Sequence, residues 1–211
     1  MTATKPRKLP VQDRAKQTVE AMVEATAHIL SADGPEGLST NRIAEVAGVS
    51  IGSLYQYFPS KEAIVARLVE RMLESDRALL QEALDDIDAP DLARALSEAV
   101  VVACRRQHAT APALQHLLPR LGELDRNQLV DAEVDHLIIS FEAFLQRWHD
   151  ELRAELREDP KALHDAVFVL VHGLRGSLNA AAQRCPERLK TPSFSHLLLR
   201  QAVAILLPSM D

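Results

Sequence analysis

Cysteine, glycine and aromatic residues are scarce in this 211-residue chain, and long apolar runs are missing. Two cysteines, Cys104 and Cys185, are too few and too far apart for a disulfide framework, which favours a reducing compartment. The longest apolar runs, such as 166–171, fall far short of the roughly 18–20 residues that a membrane span needs. No secretion signal is recognisable at the N-terminus. We therefore expect a soluble, cytoplasmic protein that makes no membrane contact.

The motifs of common catalytic and metal sites are also missing. The sequence has no Cys-x-x-Cys pair, no His-Glu-x-x-His run, no glycine-rich phosphate loop and no nucleophile elbow. Its eight histidines include no pair at i, i+4 spacing, and His108 and His116 flank an expected helix break. We expect no enzyme, no metal and no cofactor.

The formal net charge is −6, which is unusual for a protein that binds DNA. Residues 1–71, however, hold nine Lys/Arg against eight Asp/Glu, whereas residues 72–211 hold 15 against 22. The basic residues near the N-terminus are Lys5, Arg7, Lys8, Arg14 and Lys16. Residues 1–11 are interpreted as a flexible basic arm that lies along DNA phosphates or, equally, as a solubilising tail.

Helical periodicity extends through the chain, and no strand pattern or internal repeat appears. We predict an all-α fold of about nine helices, with an N-terminal three-helix domain and a C-terminal helical domain. Gly and Pro signals delimit the helices. The expected bounds are 17–32, 40–47, 50–58, 60–84, from after Pro90 to 108, 111–119, 125–158, 160–184 and 191–207.

Residues 38–62 are the most informative segment of the chain. Thr40 is a good N-cap for a short helix, and Gly48 suits the left-handed residue that ends it. Ser50 caps a second short helix whose Leu54 and Phe58 face inward. Its other face carries mostly small and hydrogen-bonding groups, which allow close approach to base-pair edges. These outward residues are Ile51, Gly52, Ser53, Gln56 and Tyr57. The pattern is typical of a helix-turn-helix DNA reader.

Three further residues of this segment have two interpretations each. Lys61, in the first turn of the next helix, opposes the helix dipole; it is either a solvated lysine or a phosphate contact. Tyr55 and Tyr57 either pack on the core or direct their hydroxyls to the DNA backbone. We favour packed rings with hydroxyls on phosphate.

The segment resembles the TetR family of bacterial transcriptional regulators over roughly residues 12–72. The matching residues are Thr40, Ile43, Ala44, Ala47, Gly48, Val49, Ser50, Gly52, Leu54, Tyr55, Tyr57, Phe58, Ser60, Lys61 and Glu62. The resemblance implies a helix-turn-helix domain at 12–60 and an effector-binding and dimerisation domain at 61–211. It also implies base-edge contacts by Ile51, Gly52 and Ser53, with Asn41 or Arg42 as a further reader. The implied phosphate contacts are Thr40, Ser50, Tyr55, Tyr57 and Lys61.

The last two helices carry an apolar surface wider than one core face, which indicates a second partner. In a TetR-like scheme that partner is the same helix pair of a second subunit, and a homodimer predicts a palindromic operator. Some of these residues must instead form the intramolecular core. The candidate dimer residues are Leu163, Val167, Leu170, Leu174, Leu178, Phe194, Leu198, Ala202 and Ile205.

The resemblance also implies a cavity for a small effector in the C-terminal domain. Candidate lining residues are Cys104, His108, Phe141, Phe144, Trp148, His172 and Asn179. A buried, hydrogen-bonded core histidine is the favoured interpretation of His172. For the three aromatic residues we favour a role in the hydrophobic core over a role in lining a pocket. If these residues do line a cavity, we expect the effector to be small and apolar or aromatic.

These observations favour a dimeric repressor that binds double-stranded operator DNA and is released by an effector. Two alternatives remain: a thiol-switched regulator acting through Cys104 or Cys185, and a helical interaction protein that has lost DNA binding.

Overall fold

A computed structural model describes residues 13–208, apart from the side chains of Asp13, Glu123 and Leu124, and this part of the chain is helical without a strand. The all-α prediction is confirmed. The nine α-helices are α1 Asp13–Ala32, α2 Thr40–Val46, α3 Ile51–Tyr57, α4 Lys61–Asp85, α5 Leu92–Leu117, α6 Glu123–Leu145, α7 Ala154–Glu158, α8 Pro160–Arg184 and α9 Pro192–Leu206. Short 3-10 helices lie at Pro35–Gly37, Leu118–Arg120, Gln146–Glu151 and Pro186–Lys190.

The chain divides into two compact units. The first extends to Glu74 and also includes Leu114–Leu129, and the second comprises Ser75–Ala113 and the chain from Val130 onward. The first unit is therefore larger than the predicted domain 12–60. The basic arm predicted at 1–11 lies outside the described residues. Among the helices within residues 13–208, none has the length and apolarity of a membrane span.

The core of the first unit is built by the apolar stripes of α1 to α4. Met22, Ile43, Leu54, Phe58 and Ile64 are fully buried there and belong to one cluster. This cluster holds α2 and α3 against α1 and α4, so the outward faces of the two short helices have fixed positions.

The second unit contains two clusters of buried apolar residues. The larger includes Leu92, Leu145 and Leu170, each almost completely buried. The smaller includes Cys104 and Leu178. Leu170 and Leu178 lie on the apolar face of α8 that the residue spacing predicted.

The sequence predicted that a new helix begins near Pro112. In the structure Pro112 lies inside α5. Its ring is solvent-exposed, while Ala111 and Leu117 are buried on the same helix. A proline in a helix interior removes one backbone hydrogen bond, at a cost of about 3 kcal/mol. Packing of the buried residues on either side of Pro112 offsets this cost and keeps the helix continuous.

The prediction of a single long helix from 125 to 158 was also wrong. Here α6 ends at Leu145, and Trp148 has non-helical φ −126° and ψ 32° inside the following 3-10 segment. Arg147 donates to the carbonyl oxygens of Leu84, at 2.9 Å, and Ile87, while its guanidinium lies 4.6 Å from the Trp148 ring centroid. These contacts satisfy carbonyls at the end of α4, and they are tertiary contacts that apolar periodicity does not reveal.

Most of the remaining helix limits agree closely with expectation. Asp159 caps α8 through its carboxylate, which accepts from Lys161 N at 2.9 Å. Pro192 opens α9, although the Thr191 side chain makes no capping bond. The first helix begins at Asp13, four residues earlier than predicted.

Candidate nucleic-acid interface

The start of α2 is capped by Ser39 rather than by Thr40, which corrects the prediction. Ser39 Oγ accepts a hydrogen bond from Arg42 N at 3.2 Å, and its carbonyl accepts from Ile43 N at 2.9 Å. Thr40 is therefore the first helical residue, and its hydroxyl is free to act elsewhere. Its Oγ1 lies 3.2 Å from the hydroxyl oxygen of Tyr55 on α3.

The turn between α2 and α3 is a Schellman motif. Gly48 has φ 67°, Gly48 N donates to Glu45 O at 3.1 Å, and Val49 N donates to Ala44 O at 2.9 Å. This is the 5→2 and 6→1 pair of bonds that ends a helix in a left-handed residue, which glycine adopts without a Cβ penalty. Val49 packs against the first-unit core and anchors the turn.

The N-terminus of α3 is fixed by a serine pair. Ser50 Oγ accepts from Ser53 N at 3.0 Å and lies 2.9 Å from Ser53 Oγ. Leu54 and Phe58 are fully buried, which confirms their predicted inward orientation. Their burial turns the opposite face of α3 outward, and the capping bonds preorganise the backbone at the helix end that faces solvent.

The outward face of α3 is accessible and partly apolar. Ile51 is 40% exposed and Tyr55 is 44% exposed. At Gly52 an added Cβ would meet nothing closer than Ser50 Oγ, at 3.8 Å. Tyr57 instead packs its ring partly against the core. The helix can therefore approach another surface closely at its first turn, with tyrosine hydroxyls available for hydrogen bonding.

Two charged side chains border this face. Arg42 NH1 lies 3.0 Å from Glu45 Oε2 on the same helix. Arg42 thus neutralises the Glu45 carboxylate, which lies beside the proposed DNA surface. Lys61 is exposed, with its Nζ 3.5 Å from Leu38 O. Ser60 Oγ accepts from Ala63 N at 3.3 Å and so caps α4, which places Lys61 in the first turn as expected.

The predicted DNA-contact residues thus have defined positions on the first unit. The structure directly joins two of them across helices, Thr40 and Tyr55. All of them are exposed or half-buried, and none is buried in the core: Thr40, Asn41, Arg42, Ser50, Ile51, Gly52, Ser53, Tyr55, Gln56, Tyr57 and Lys61. The small side chains allow the helix pair to approach a duplex groove closely, and the hydroxyl groups can bond to its phosphates.

The predicted dimer residues lie mainly inside the protomer. Val167, Leu170 and Ala202 have at most 1% exposure, so their assignment to a partner was wrong. The apolar stripe that periodicity revealed is the face that packs against the rest of the second unit. Leu163, Leu178 and Leu198 are also buried, while Leu174, Phe194 and Ile205 are partly buried. The exposed large apolar residues of α8 and α9 are Phe168, Val169 and Leu197.

The predicted effector residues do not gather around one described cavity. Phe144 stacks with Phe141 at 5.6 Å and is tilted against Trp148 at 5.1 Å, within the larger core cluster. His172 is exposed and lies 4.3 Å from the Phe168 ring, so its interpretation as a core histidine was wrong. Asn179 accepts from Gln107 at 2.9 Å, Cys104 is buried, and His108 is half-buried.

An open groove of about 430 Å³ lies elsewhere on the second unit, at the end of α4 and along α5. Its lining residues are Ala83, Asp86, Ile87, Arg94, Ser97, Glu98, Val101, Val102 and Arg105, none of which was predicted as an effector contact. Burial raises the pKa of the Cys104 thiol, which keeps it protonated and disfavours it as a redox sensor.

Sequence reasoning missed a cluster of charged residues on the inner faces of the second-unit helices. Asp76 and Glu133 are buried, and both pair with Arg106. Burial raises the pKa of Asp76 above its ordinary value of 3.8, although Arg106 acts in the opposite direction. Single charged residues on long helices are usually exposed to solvent. No local sequence pattern therefore indicated that these residues are buried. No group of three or more metal-ligating side chains occurs in the described part of the chain.

Comparison with known proteins matches the first unit to one family. Residues 22–68 match the family model of bacterial regulatory proteins, tetR family. The nucleoid occlusion factor SlmA of Actinobacillus pleuropneumoniae serotype 5b is 38% identical over 71 residues, 34% of this chain and 33% of that protein. The chain thus spans about a third of the length of the first curated relatives. SlmA of Photobacterium profundum is 27% identical over 187 residues, 84% of this chain and 90% of its own length.

Solved structures extend the similarity to the whole fold. A TetR-family transcriptional regulator from Streptomyces coelicolor has a TM-score of 0.59 at 21% identity, covering 90% of this chain and 99% of its own. The SmeT–triclosan complex has a TM-score of 0.60 at 19% identity, covering 91% and 92%. The motif on α2 and α3 and the match over residues 22–68 agree: this segment is similar to the tetR family of bacterial regulatory proteins, and the solved structures share the fold.

Proposed function

We propose that this chain is a dimeric transcriptional repressor that binds a palindromic operator through α2 and α3 and is released by a small effector bound in the second unit. The observation that carries the DNA-binding part is the preorganised α3 N-terminus. The Schellman turn at Gly48 and the Ser50 cap hold its small exposed residues outward. Ile51 cannot hydrogen-bond, so its base contact is limited to a thymine methyl group, and DNA shape supplies part of the specificity.

Dimerisation is proposed through the exposed apolar residues of α8 and α9. Phe168, Val169 and Leu197 are large apolar side chains on two neighbouring helices, and they are 48%, 57% and 60% exposed in the protomer. A two-fold arrangement would present two copies of α3 to successive major-groove faces and hence to a palindrome.

Effector release is proposed from the second unit's similarity in fold to the SmeT–triclosan complex. In that scheme, the protein has one conformation that fits the operator half-sites and another that does not. The effector binds the second conformation more tightly and so lowers the population of the first.

The test is fluorescence anisotropy of the purified protein with duplex DNA from upstream of its own gene, at two salt concentrations and with excess nonspecific competitor. The expected result is competitor-resistant binding that Gly52→Glu abolishes and Gly52→Ala retains. The space around Gly52 admits a side chain without disturbing the fold, so loss of binding would arise at the DNA surface. Normal binding by Gly52→Glu would show that α3 does not enter the groove.

A second candidate function is that of a nucleoid occlusion factor. It is favoured by the 187-residue alignment with SlmA of Photobacterium profundum. Mapping the bound sites across the chromosome separates the two candidates. A repressor should occupy a few sites upstream of regulated genes, whereas a nucleoid factor should occupy many sites distributed over the chromosome.

A further inference from the structure

Arg42 and Glu45 form an exposed ion pair on the outward side of α2. Arg42 NH1 lies 3.0 Å from Glu45 Oε2, and the two side chains are 47% and 70% exposed. Residues three positions apart lie on the same side of a helix, which allows this contact. A carboxylate repels phosphates, so on a DNA-binding surface it weakens binding to every sequence. Its presence is explained if it acts on Arg42.

The position of Arg42 is restrained at its backbone and at its guanidinium. Its backbone N donates to Ser39 Oγ at 3.2 Å, in the cap of α2, and its guanidinium contacts Glu45. Ile43 and Ala44 are 0% and 4% exposed, so their burial sets the rotation of α2 and directs Arg42 outward. A restrained side chain loses less conformational entropy when it binds.

The same helix is joined to the exposed side of α3. Thr40 Oγ1 lies 3.2 Å from the Tyr55 hydroxyl oxygen. Because a helix rises about 1.5 Å per residue, Arg42 and Glu45 lie within about 8 Å of Thr40 along the axis of α2. The ion pair therefore has a defined position beside the face of α3 that we propose enters the groove.

We propose that Glu45 positions Arg42 to read a guanine and is thus a specificity-determining residue. This inference rests on the proposed function, because it assigns a base and a positioning residue to the same DNA surface. Guanine presents the acceptors O6 and N7 in the major groove, and arginine can donate to both. Among the side chains that the structure describes, the Arg42 guanidinium has a partner at NH1 alone. Its other N–H groups can meet the base while Glu45 holds NH1.

Glu45 also limits contacts that carry no sequence information. A free arginine readily contacts phosphates, which are the same in every sequence. The Arg42–Glu45 pair has no net charge and attracts phosphates weakly. An arbitrary duplex therefore gains little from Arg42, whereas a guanine at the matching position gains a directed contact.

The experiment is selection of duplexes from random DNA by the full-length wild-type protein, Arg42→Gln and Glu45→Gln, followed by sequencing. The preference for guanine at one position of each half-site should fall about tenfold in Arg42→Gln. In Glu45→Gln it should fall at the same position by about two- to fivefold, as expected for one exposed ion pair. Preferences at the other positions should not change.

Glu36→Gln is the matched control, because Glu36 is an exposed carboxylate in the 3-10 helix that precedes α2. It removes the same charge and should keep the wild-type preference for guanine. The double variant Arg42→Gln/Glu45→Gln should select the same bases as Arg42→Gln, since Glu45 acts through Arg42. Urea unfolding should give all variants midpoints close to that of the wild-type protein, because the exchanged side chains are exposed.

The pattern of base preferences distinguishes the possible roles of Glu45. Tighter binding of Glu45→Gln to all duplexes with unchanged preferences would overturn the inference, because Glu45 would then act by its charge alone. Loss of preference at different positions in the two variants would also overturn it, because Glu45 would then read a base itself. Unchanged preferences in Arg42→Gln would show that Arg42 reads no base. If the wild-type protein selects no sequence, the proposed function fails, and this inference fails with it.

Discussion

The hydroxyl oxygens of Thr40 and Tyr55 lie 3.2 Å apart, so the first residue of α2 is bonded to the exposed face of α3. The two residues are fifteen positions apart in sequence, and the Schellman turn at Gly48 lies between them. This bond links the two short helices on their solvent side, opposite the buried Leu54 and Phe58. It also leaves each oxygen with a lone pair or proton for a further partner, such as a phosphate.

Tyr55→Phe should weaken DNA binding while preserving the fold. An exposed hydroxyl contributes little to stability, so the free energy of unfolding should change by less than about 0.5 kcal/mol. Loss of one hydrogen bond to an anionic phosphate should weaken operator binding about tenfold or more. Urea unfolding and fluorescence anisotropy measure the two effects. Unchanged affinity would mean that the Tyr55 hydroxyl serves only Thr40.

Lys61→Ala should weaken binding to all DNA sequences equally. Its exposed ammonium lies near the α4 N-terminus, where a phosphate would also meet backbone N–H groups. Loss of one phosphate contact should lower the slope of log K against log salt by about one. Anisotropy titrations from 50 to about 200 mM salt measure this slope.

The control for Lys61 is Lys161→Ala. Lys161 is also exposed and also lies in the first turn of a long helix, but in the second unit. It should leave the slope unchanged. Equal changes in the two variants would attribute the effect to net charge rather than to a contact made by Lys61.

The sequence predicted the local structure of α2 and α3 well because its signals are local. A glycine at the left-handed position, a serine cap and two inward apolar residues lie within eleven residues, and Gly48, Ser50, Leu54 and Phe58 all behave as expected. The one local error, Thr40 instead of Ser39 as the cap, arose because two adjacent residues are both good caps.

The errors in the second unit have a different origin. Pro112 and Trp148 show that tertiary contacts decide whether a helix continues or ends, so neither outcome follows from local propensity. Arg106 pairs with residues 30 and 27 positions away, and such pairing leaves no periodic signal. Periodicity found the apolar face of α8, but it does not distinguish an internal core from a partner surface.

Leu197→Glu should convert the proposed dimer into monomers. A carboxylate at a position that is 60% exposed in the protomer does not disturb the fold, but it would be desolvated in the interface. Size-exclusion chromatography with light scattering should give the mass of one chain, 23.3 kDa, at micromolar concentration. Operator affinity should fall at least tenfold, because one protomer presents a single α3.

Leu79→Glu is the matched control for Leu197. Leu79 is 62% exposed and lies on α4, outside the proposed interface. The variant should keep the mass of a dimer and the wild-type operator affinity. Dissociation by Leu79→Glu and not by Leu197→Glu would move the interface from α8 and α9 to α4.

Asp76→Asn should change how stability depends on pH. Burial raises the pKa of Asp76 above 3.8, so the folded protein binds this proton more tightly than the unfolded chain does. The resulting stabilisation is fully present below the unfolded pKa and is lost as the pH rises through the folded pKa. The amide that replaces the carboxyl group in the variant does not titrate, so the difference between the two proteins isolates this group.

The free energy of unfolding of the wild-type protein, relative to Asp76→Asn, should therefore fall with rising pH. The slope should be no steeper than about 1.4 kcal/mol per pH unit between the two pKa values and should vanish above them. Urea unfolding of both proteins from about pH 3.5 to 7 measures it. A difference that instead grows with pH would mean that the ion pair with Arg106 outweighs burial, and that Asp76 stabilises the fold in its ionised form.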